Sequence, residues 1–397
     1  MESLSQRINA LSPSATIAMN QKARDLRAKG VDVINMGVGE PDFNTPDHIK
    51  EAAKKAIDNN FSFYPPVAGF PDLKRAIVEK FKRENGLDFS TDQILVSSGA
   101  KHSLANALMA IIDKGDEVII PAPYWVSYLE LVKLCEGKPV VLEARFEQDF
   151  KITPDQLQRA ITPKTKAFMI CSPSNPSGAV YSKSELKAFA DILLKHERII
   201  TLSDEIYEHI NFIGGHESIS QFQELRDRVV VINGVSKAYA MTGWRIGYMG
   251  APLWLTKACD KLQGQMTTGA STIAQKAAEA ALTSNQQCVE DMNKAFKRRK
   301  ELVVKLVREI EGLKVYDPDG AFYVFPVVKY YLGKSVNGRK INTTTDLCLY
   351  LLEEAHISTV PGEAFGDPDC IRISFATADE KLVEAMRRMK EALGRMI

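Results

Sequence analysis

Residues 229–248 read VVVINGVSKAYAMTGWRIGY. Val229 to Ile232 is β-branched without a polar break, the pattern of a strand buried on both faces. Asn233-Gly234 is turn chemistry and should end that strand. Ser236, Lys237 and, further along, Arg245 follow. A lysine just past the end of a buried strand is not placed like a solvated surface lysine. It is placed for covalent chemistry with a carbonyl compound. A hydroxyl and an arginine beside it suit a bound phosphate.

Working outward, runs at Ile94–Ser97, Glu117–Ile120, Pro139–Leu142, Lys166–Ile170, Ile199–Ser203 and Ile246–Gly250 also read as strands, most of them separated by helical stretches. Such alternation predicts an α/β domain with a mainly parallel sheet, its ligand groups at the carboxyl ends of the strands. Upstream, the pattern predicts a helix over Thr16–Ala28, a strand over Val31–Asn35, a Gly/Pro-rich turn GVGEPDFNTP, and helices over Asp47–Asn59 and Pro71–Glu84. Beyond roughly residue 285 the pattern changes. A long charged helix (Gln286–Ile310), short strands near 313–327 and a polar linker GKSVNGRKINTTT lead to a helix (Thr345–Ala355), a strand (Ile371–Ser374) and a last helix (Asp379–Leu393). This predicts a second, smaller α/β domain.

Composition narrows the partners. A chain of 397 residues is too long for one simple core. With 45% hydrophobic and 25% charged residues it is expected to fold as an ordinary globular protein. A net charge of +1 points to neither nucleic acid nor membrane. No run approaches the roughly 20 apolar residues of a membrane span. Lys297 to Lys300 (KRRK) is therefore read as the solvated face of its helix. The start, MESLSQRINALSPS, has no long apolar run, so no signal peptide is expected. Six cysteines (135, 171, 259, 288, 348 and 370) contain no CxxC pair and read as reduced thiols of a cytoplasmic protein.

Four more segments carry candidate chemistry. In SSGAKHSL (97–104), the backbone N–H groups of Gly99, Ala100 and Lys101 would open a helix and could hold a phosphate; a glycine before a helix is also an ordinary turn. In SPSNPSG (172–178), Asn175 belongs either to a plain loop or to a pocket at a strand end. In TLSDEIYEH (201–209), Asp204 is either a cap or the partner of a pyridine nitrogen, and Tyr207 could then reach that ring's phenolate oxygen. In CIRISFAT (370–377), Arg372 is either solvent-facing on an edge strand or a fork for a substrate carboxylate. An imine-forming lysine, a phosphate anchor and a carboxylate for a pyridine nitrogen together describe pyridoxal 5'-phosphate.

These residues resemble the fold-type-I pyridoxal-phosphate enzymes, and within them the class I aminotransferases of the bacterial aspartate aminotransferase type. The resemblance covers nearly the whole chain. Its strongest piece is SKAYAMTGWRIGY, supported by MGVGEPDF, YPPVAGFPDL, PAPYWVSY, SPSNPSGAVY, SDEIYEH, GAFYVF and VPGEAFG. It implies a large domain (46–285) with a mainly parallel seven-stranded sheet, a smaller C-terminal α/β domain (286–397), and an N-terminal segment (1–45) that joins the small domain and covers the site. It implies that Lys237 forms the imine with the cofactor. Arg245, Ser236 and the Gly99, Ala100 and Lys101 stretch would hold the phosphate, while Asp204 pairs with the pyridine nitrogen. Asn175 and Tyr207 would contact the ring oxygen, and Trp125 would flank the ring. Arg372 would grip the substrate α-carboxylate, helped by Asn175 and the Gly39 backbone. Tyr64 would reach the phosphate of a neighbouring subunit, making the site a property of a homodimer. Ser177, Ser174 and Gly234 depart from the family's usual residues and leave one phosphate-binding hydroxyl open.

The expected activity is ping-pong transfer of an amino group from L-aspartate to 2-oxoglutarate. Lys101, with Ser14 and Thr16, matches the group that binds the distal carboxylate of acidic substrates. Prephenate or an aromatic oxo acid is the alternative acceptor. A carbon–sulfur lyase would share Lys237, Asp204 and Arg372. A cofactor-binding regulator would need a DNA-binding domain in front, and only about 45 residues precede the cofactor domain. A dinucleotide-binding dehydrogenase is disfavoured because GVGEPD lacks the third glycine and a following helix.

Overall fold

The computed structural model describes residues 3–397; Met1 and Glu2, the first two residues of the expected N-terminal segment, lie outside the described residues. The strands in chain order are β1 (Ile34–Asn35), β2 (Ile94–Ser97), β3 (Glu117–Ala122), β4 (Lys138–Glu143), β5 (Thr165–Cys171), β6 (Ile200–Asp204), β7 (Val229–Gly234), β8 (Gly247–Gly250), β9 (Tyr323–Val324), β10 (Ser335–Val336), β11 (Arg339–Lys340), β12 (Ile357–Ser358), β13 (Val360–Pro361) and β14 (Ile371–Ser374). Seven of them form the central sheet, in the order β2-β8-β7-β6-β5-β3-β4. Only β8 runs against its neighbours. The fold is α/β, with a mostly parallel seven-stranded sheet.

Side-chain alternation explains why the central strands are apolar throughout. Val96, Phe168, Ile170, Val229 and Val231 pack into one core. Leu95, Ala167, Met169, Val230 and Ile232 pack into another on the opposite face. Helices cover both faces, so neither set of side chains can be polar. A third core gathers the C-terminal elements and also takes Met19, Ala23, Ile34 and Met36 from near the chain start. Backbone pairing ties the two ends of the chain together here: β1 runs parallel to β12, with Ile34 opposite Ile357.

Several local expectations need correction. Asn233-Gly234 is not a turn but the end of β7, paired with Tyr248 and Gly247. A Cβ at Gly234 would lie 2.9 Å from the Ile246 carbonyl oxygen, so the glycine serves close backbone approach. The polar linker contains a hairpin, β10–β11, around Asn337-Gly338. Both residues have positive φ, 51° and 77°, as a two-residue hairpin turn requires. Arg299 within KRRK is not solvated: it is 6% exposed and forks onto Asp42 at 2.7 and 3.0 Å. Arg298 and Lys300 pair with Asp379 and Asp317. Arg372 does not face solvent. It is buried, and β14 lies between β13 and β9. The six cysteines are free thiols. No helix among the described residues is long and apolar enough to cross a membrane.

Candidate active site

The carboxyl ends of β2, β5, β6 and β7 deliver their following residues to one cavity of about 300 Å³. Lys237 follows β7, Asp204 ends β6, Asn175 follows β5, and the Ala100–Ile111 helix follows β2. These ends meet because parallel strands point the same way and right-handed crossovers return each one to the same edge. Arg372 enters from β14, so the wall opposite the sheet belongs to the C-terminal elements.

Lys237 donates from Nζ to the Gly39 carbonyl oxygen at 2.6 Å. Burial pushes its amine down to about 8; Arg372 and Arg245 add repulsion, while Glu40 and Asp204 oppose. Asp204 shifts the other way. Burial pushes its carboxyl up to about 6, against the donors that favour the carboxylate. Those donors are the Tyr128 hydroxyl at 2.6 Å and the Ile206 N–H at 3.3 Å. The site thus holds an amine that gives up its proton readily and, some distance away, a carboxylate supported by a phenol.

An anion would find a built cradle beside them. The Ala100–Ile111 helix opens on Gly99 with no side-chain cap and no acid in its first turn. Its first N–H groups are therefore open to an external acceptor. Arg245 approaches this end so closely that a Cβ on Gly99 would lie 2.1 Å from Arg245 Nη2. A Cβ on Gly247 would lie 2.1 Å from the Ala100 nitrogen. Glycine at both positions lets helix, strand and guanidinium converge. Ser236, 6% exposed, adds a hydroxyl to the same wall. The donor set fits a phosphate, the amine fits an aldehyde, and Asp204 fits a protonated ring nitrogen; together they fit pyridoxal phosphate.

Arg372 is 2% exposed. Its Nη1 donates to Asn175 Oδ1 at 2.9 Å and its Nη2 to the Gly37 carbonyl at 2.7 Å. The rings of Tyr323 and Phe365 lie 4.5 and 4.9 Å from its Cζ. Its Nε is buried with no protein partner, an open donor that a carboxylate could satisfy. The Gly37 carbonyl thus holds the arginine, while Gly39, which also lines the cavity, accepts from the lysine.

Of the other expected residues, Thr16, Ala100, Lys101, Trp125 and Tyr207 line the cavity. Lys101 Nζ lies 4.8 Å from the Trp125 ring centre, and burial, then Arg245, lower its pKa. Gly99 lies behind the wall, where its missing side chain admits Arg245. Ser14 is not in the wall; its side chain faces the Ile17 N–H at 3.5 Å and caps the Ala15–Ala28 helix. Tyr64 is also outside the cavity, 91% exposed on the surface. Sequence reasoning missed Tyr128, Tyr323, Thr242 and Cys171, all of which line it. Tyr128 could have been found three residues past Trp125, within PAPYWVSY, where its N–H donates to the Trp125 carbonyl at 2.9 Å. A larger open cleft of about 890 Å³ shares none of these residues, and its Arg145 and Lys329 are already paired with Glu143 and Asp369.

Residues 31–389 match the family described as aminotransferase class I and II. A probable aspartate/prephenate aminotransferase of Rhizobium leguminosarum bv. phaseoli is 48% identical over 99% of both chains. An aspartate aminotransferase of Geobacillus stearothermophilus is 45% identical over 98% of this chain and 99% of its own. Among solved structures, the aspartate aminotransferase of Rhizobium meliloti superposes with a TM-score of 0.96 at 44% identity, covering all of both chains. That of Thermus thermophilus with maleate gives 0.93 at 41% identity, over 99% of this chain and 100% of that one.

Proposed function

The chain belongs to the class I and II aminotransferases, and on that premise we propose that it moves the amino group of L-aspartate to 2-oxoglutarate with pyridoxal 5'-phosphate as cofactor. The observation that carries this reading is the meeting of Lys237, Asp204, the Arg245 cradle and Arg372 in one cavity. Bound there, the cofactor supplies a carbonyl that condenses with amines and a protonated ring that draws electrons from the carbon losing its proton.

The chain's own residues do the rest. Lys237 would hold the cofactor in the absence of substrate. Its freed amine, whose pKa burial lowers to about 8, would then carry the proton between the substrate α-carbon and the cofactor. Asp204 holds the proton on the ring nitrogen, and Tyr207 and Asn175 donate to the ring oxygen. Ala100, Lys101, Ser236 and Arg245 would grip the phosphate, with Gly99 making room for the Arg245 guanidinium beside it, and Trp125 would flank the ring. Arg372 would fork onto the α-carboxylate, with Asn175 and the Gly39 backbone beside it. Lys101 and Thr16, with Ser14 reached by movement of the N-terminal segment, take the distal carboxylate. The Thermus relative was solved with maleate, a dicarboxylate, which supports an acidic substrate.

Prephenate is a second acceptor for the same site, supported by two relatives at 48% identity whose names couple aspartate with prephenate. The protein would work as a cytoplasmic homodimer in which the exposed Tyr64 reaches the phosphate in the neighbouring subunit's site. It is divided into an N-terminal cover (1–45), a cofactor domain (46–285) and a small domain (286–397).

The test is a panel of amino donors against 2-oxoglutarate, oxaloacetate and prephenate. Aspartate with 2-oxoglutarate should turn over, and Lys237→Ala should abolish it. Full activity of that variant, or release of pyruvate and a thiol in place of amino exchange, would sink the assignment.

A further inference from the structure

Tyr323 stands where the cofactor end of the cavity meets the carboxylate end. Its hydroxyl lies 2.8 Å from that of Tyr207, and the two residues are 0% and 3% exposed. Its ring supports the Arg372 guanidinium at 4.5 Å. Gly39 backs the hydroxyl, since a Cβ there would lie 2.3 Å from it. The hydroxyl is thus confined between Gly39 and Tyr207.

Each phenol has one proton to donate and can accept from others. Under the proposed function, Tyr207 spends its proton on the cofactor's ring oxygen. The bond between the two hydroxyls must then run from Tyr323 to Tyr207. A donor to the Tyr207 oxygen polarises the Tyr207 O–H and makes it the better donor. We propose that Tyr323 is a positioning residue whose hydroxyl donates to Tyr207, aiming and strengthening the Tyr207 hydrogen bond to the cofactor. This rests on the Tyr207 assignment above.

A hydrogen bond to the ring oxygen stabilises its negative charge and competes with the neighbouring nitrogen's proton for it. Losing that bond therefore raises the pH at which the bound cofactor changes its visible absorption. The experiment titrates that absorption in the holoenzyme for the wild type, Tyr207→Phe, Tyr323→Phe and the double variant. Tyr207→Phe should raise the midpoint by about 1–2 units. Tyr323→Phe should raise it by roughly 0.1–0.6 units, since a neighbour strengthens a hydrogen bond by only about 10–30%. The double variant should match Tyr207→Phe, because an effect passed through Tyr207 cannot outlive its hydroxyl. KM for the amino donor should stay within about twofold in Tyr323→Phe, because the ring under Arg372 remains. That KM also reports whether the pocket is intact.

An unmoved midpoint in Tyr207→Phe overturns the assignment of Tyr207, and the role of Tyr323 with it. A shift in Tyr207→Phe with none in Tyr323→Phe overturns the role of Tyr323 alone. So does a double variant that titrates above Tyr207→Phe, or a Tyr323→Phe effect confined to KM.

Discussion

Gly99→Ala separates the strain of the anion cradle from its grip. Gly99 has φ 88° and ψ 157°, a region that essentially only glycine occupies, so an alanine there costs about 1–3 kcal/mol of stability. That cost falls on the folded chain with or without cofactor and should lower the Tm by a few degrees. The second effect belongs to binding. The new Cβ would lie 2.1 Å from Arg245 Nη2 and 2.7 Å from its Cζ, so the guanidinium must withdraw. Arg245 is otherwise steadied by the Thr242 carbonyl at 2.9 Å. Losing one charge-assisted bond to a phosphate costs about 1.5–3 kcal/mol, or a Kd for pyridoxal phosphate raised roughly 10- to 150-fold. Titrating apoenzyme with the cofactor, alongside thermal unfolding, measures both. Gly86→Ala is the control. Gly86 caps the Pro71–Asn85 helix at φ 63° with nothing within 4 Å of an added Cβ. It should lose about 1–2 kcal/mol of stability and no affinity. A Kd for Gly99→Ala equal to wild type, with Tm lowered in both variants, would refute the placing of the phosphate at this helix end.

Lys101→Ser should lower kcat/KM for aspartate by roughly 10- to 150-fold and for alanine by less than about threefold; equal losses would show that Lys101 only adds charge near the phosphate. In apoenzyme, labelling of Lys237 by an amine-reactive reagent should rise with a midpoint near pH 8, since the neutral amine reacts and burial lowers its pKa to about 8; a midpoint near 10.5 would contradict the buried setting. Lys80 is fully buried against Glu208, whose carboxyl it holds down despite burial. Lys80→Met should therefore cost about 3–5 kcal/mol, and adding Glu208→Leu should restore most of it; thermal unfolding of the pair decides. Because the Glu208 carboxyl is held below its unfolded value, its contribution is present above about pH 4.5 and fades as pH falls through the folded value.

How much was legible in advance depended on range. The central strands were readable because both faces of the sheet are covered, which makes Val229 to Ile232 and Phe168 to Ile170 apolar without alternation. Their ends were less readable. Asn233-Gly234 has the composition of a turn, yet pairs with β8 because Gly234 lets two backbones meet. The hairpin at Asn337-Gly338 was hidden by its two-residue strands, too short to show a period. Arg299 looked solvated because Asp42, its partner, lies 257 residues away.

The same limit applies to the site. The sequence by itself determined the kinds of chemistry present: a lysine past a buried strand, an acid and an asparagine at strand ends, a glycine opening a helix, an arginine in a strand. Those follow from local pattern, since a strand end and a helix start are set by neighbouring residues. Only the tertiary structure decided which group serves which. Tyr128 meets Asp204 across 76 residues, Tyr207 meets Tyr323 across 116, and Arg372 meets the Gly37 carbonyl across 335. Hydrogen-bond partners and the loss of water that shifts Lys237 and Asp204 in opposite directions are properties of what packs around a group, and packing brings together residues that no local pattern relates.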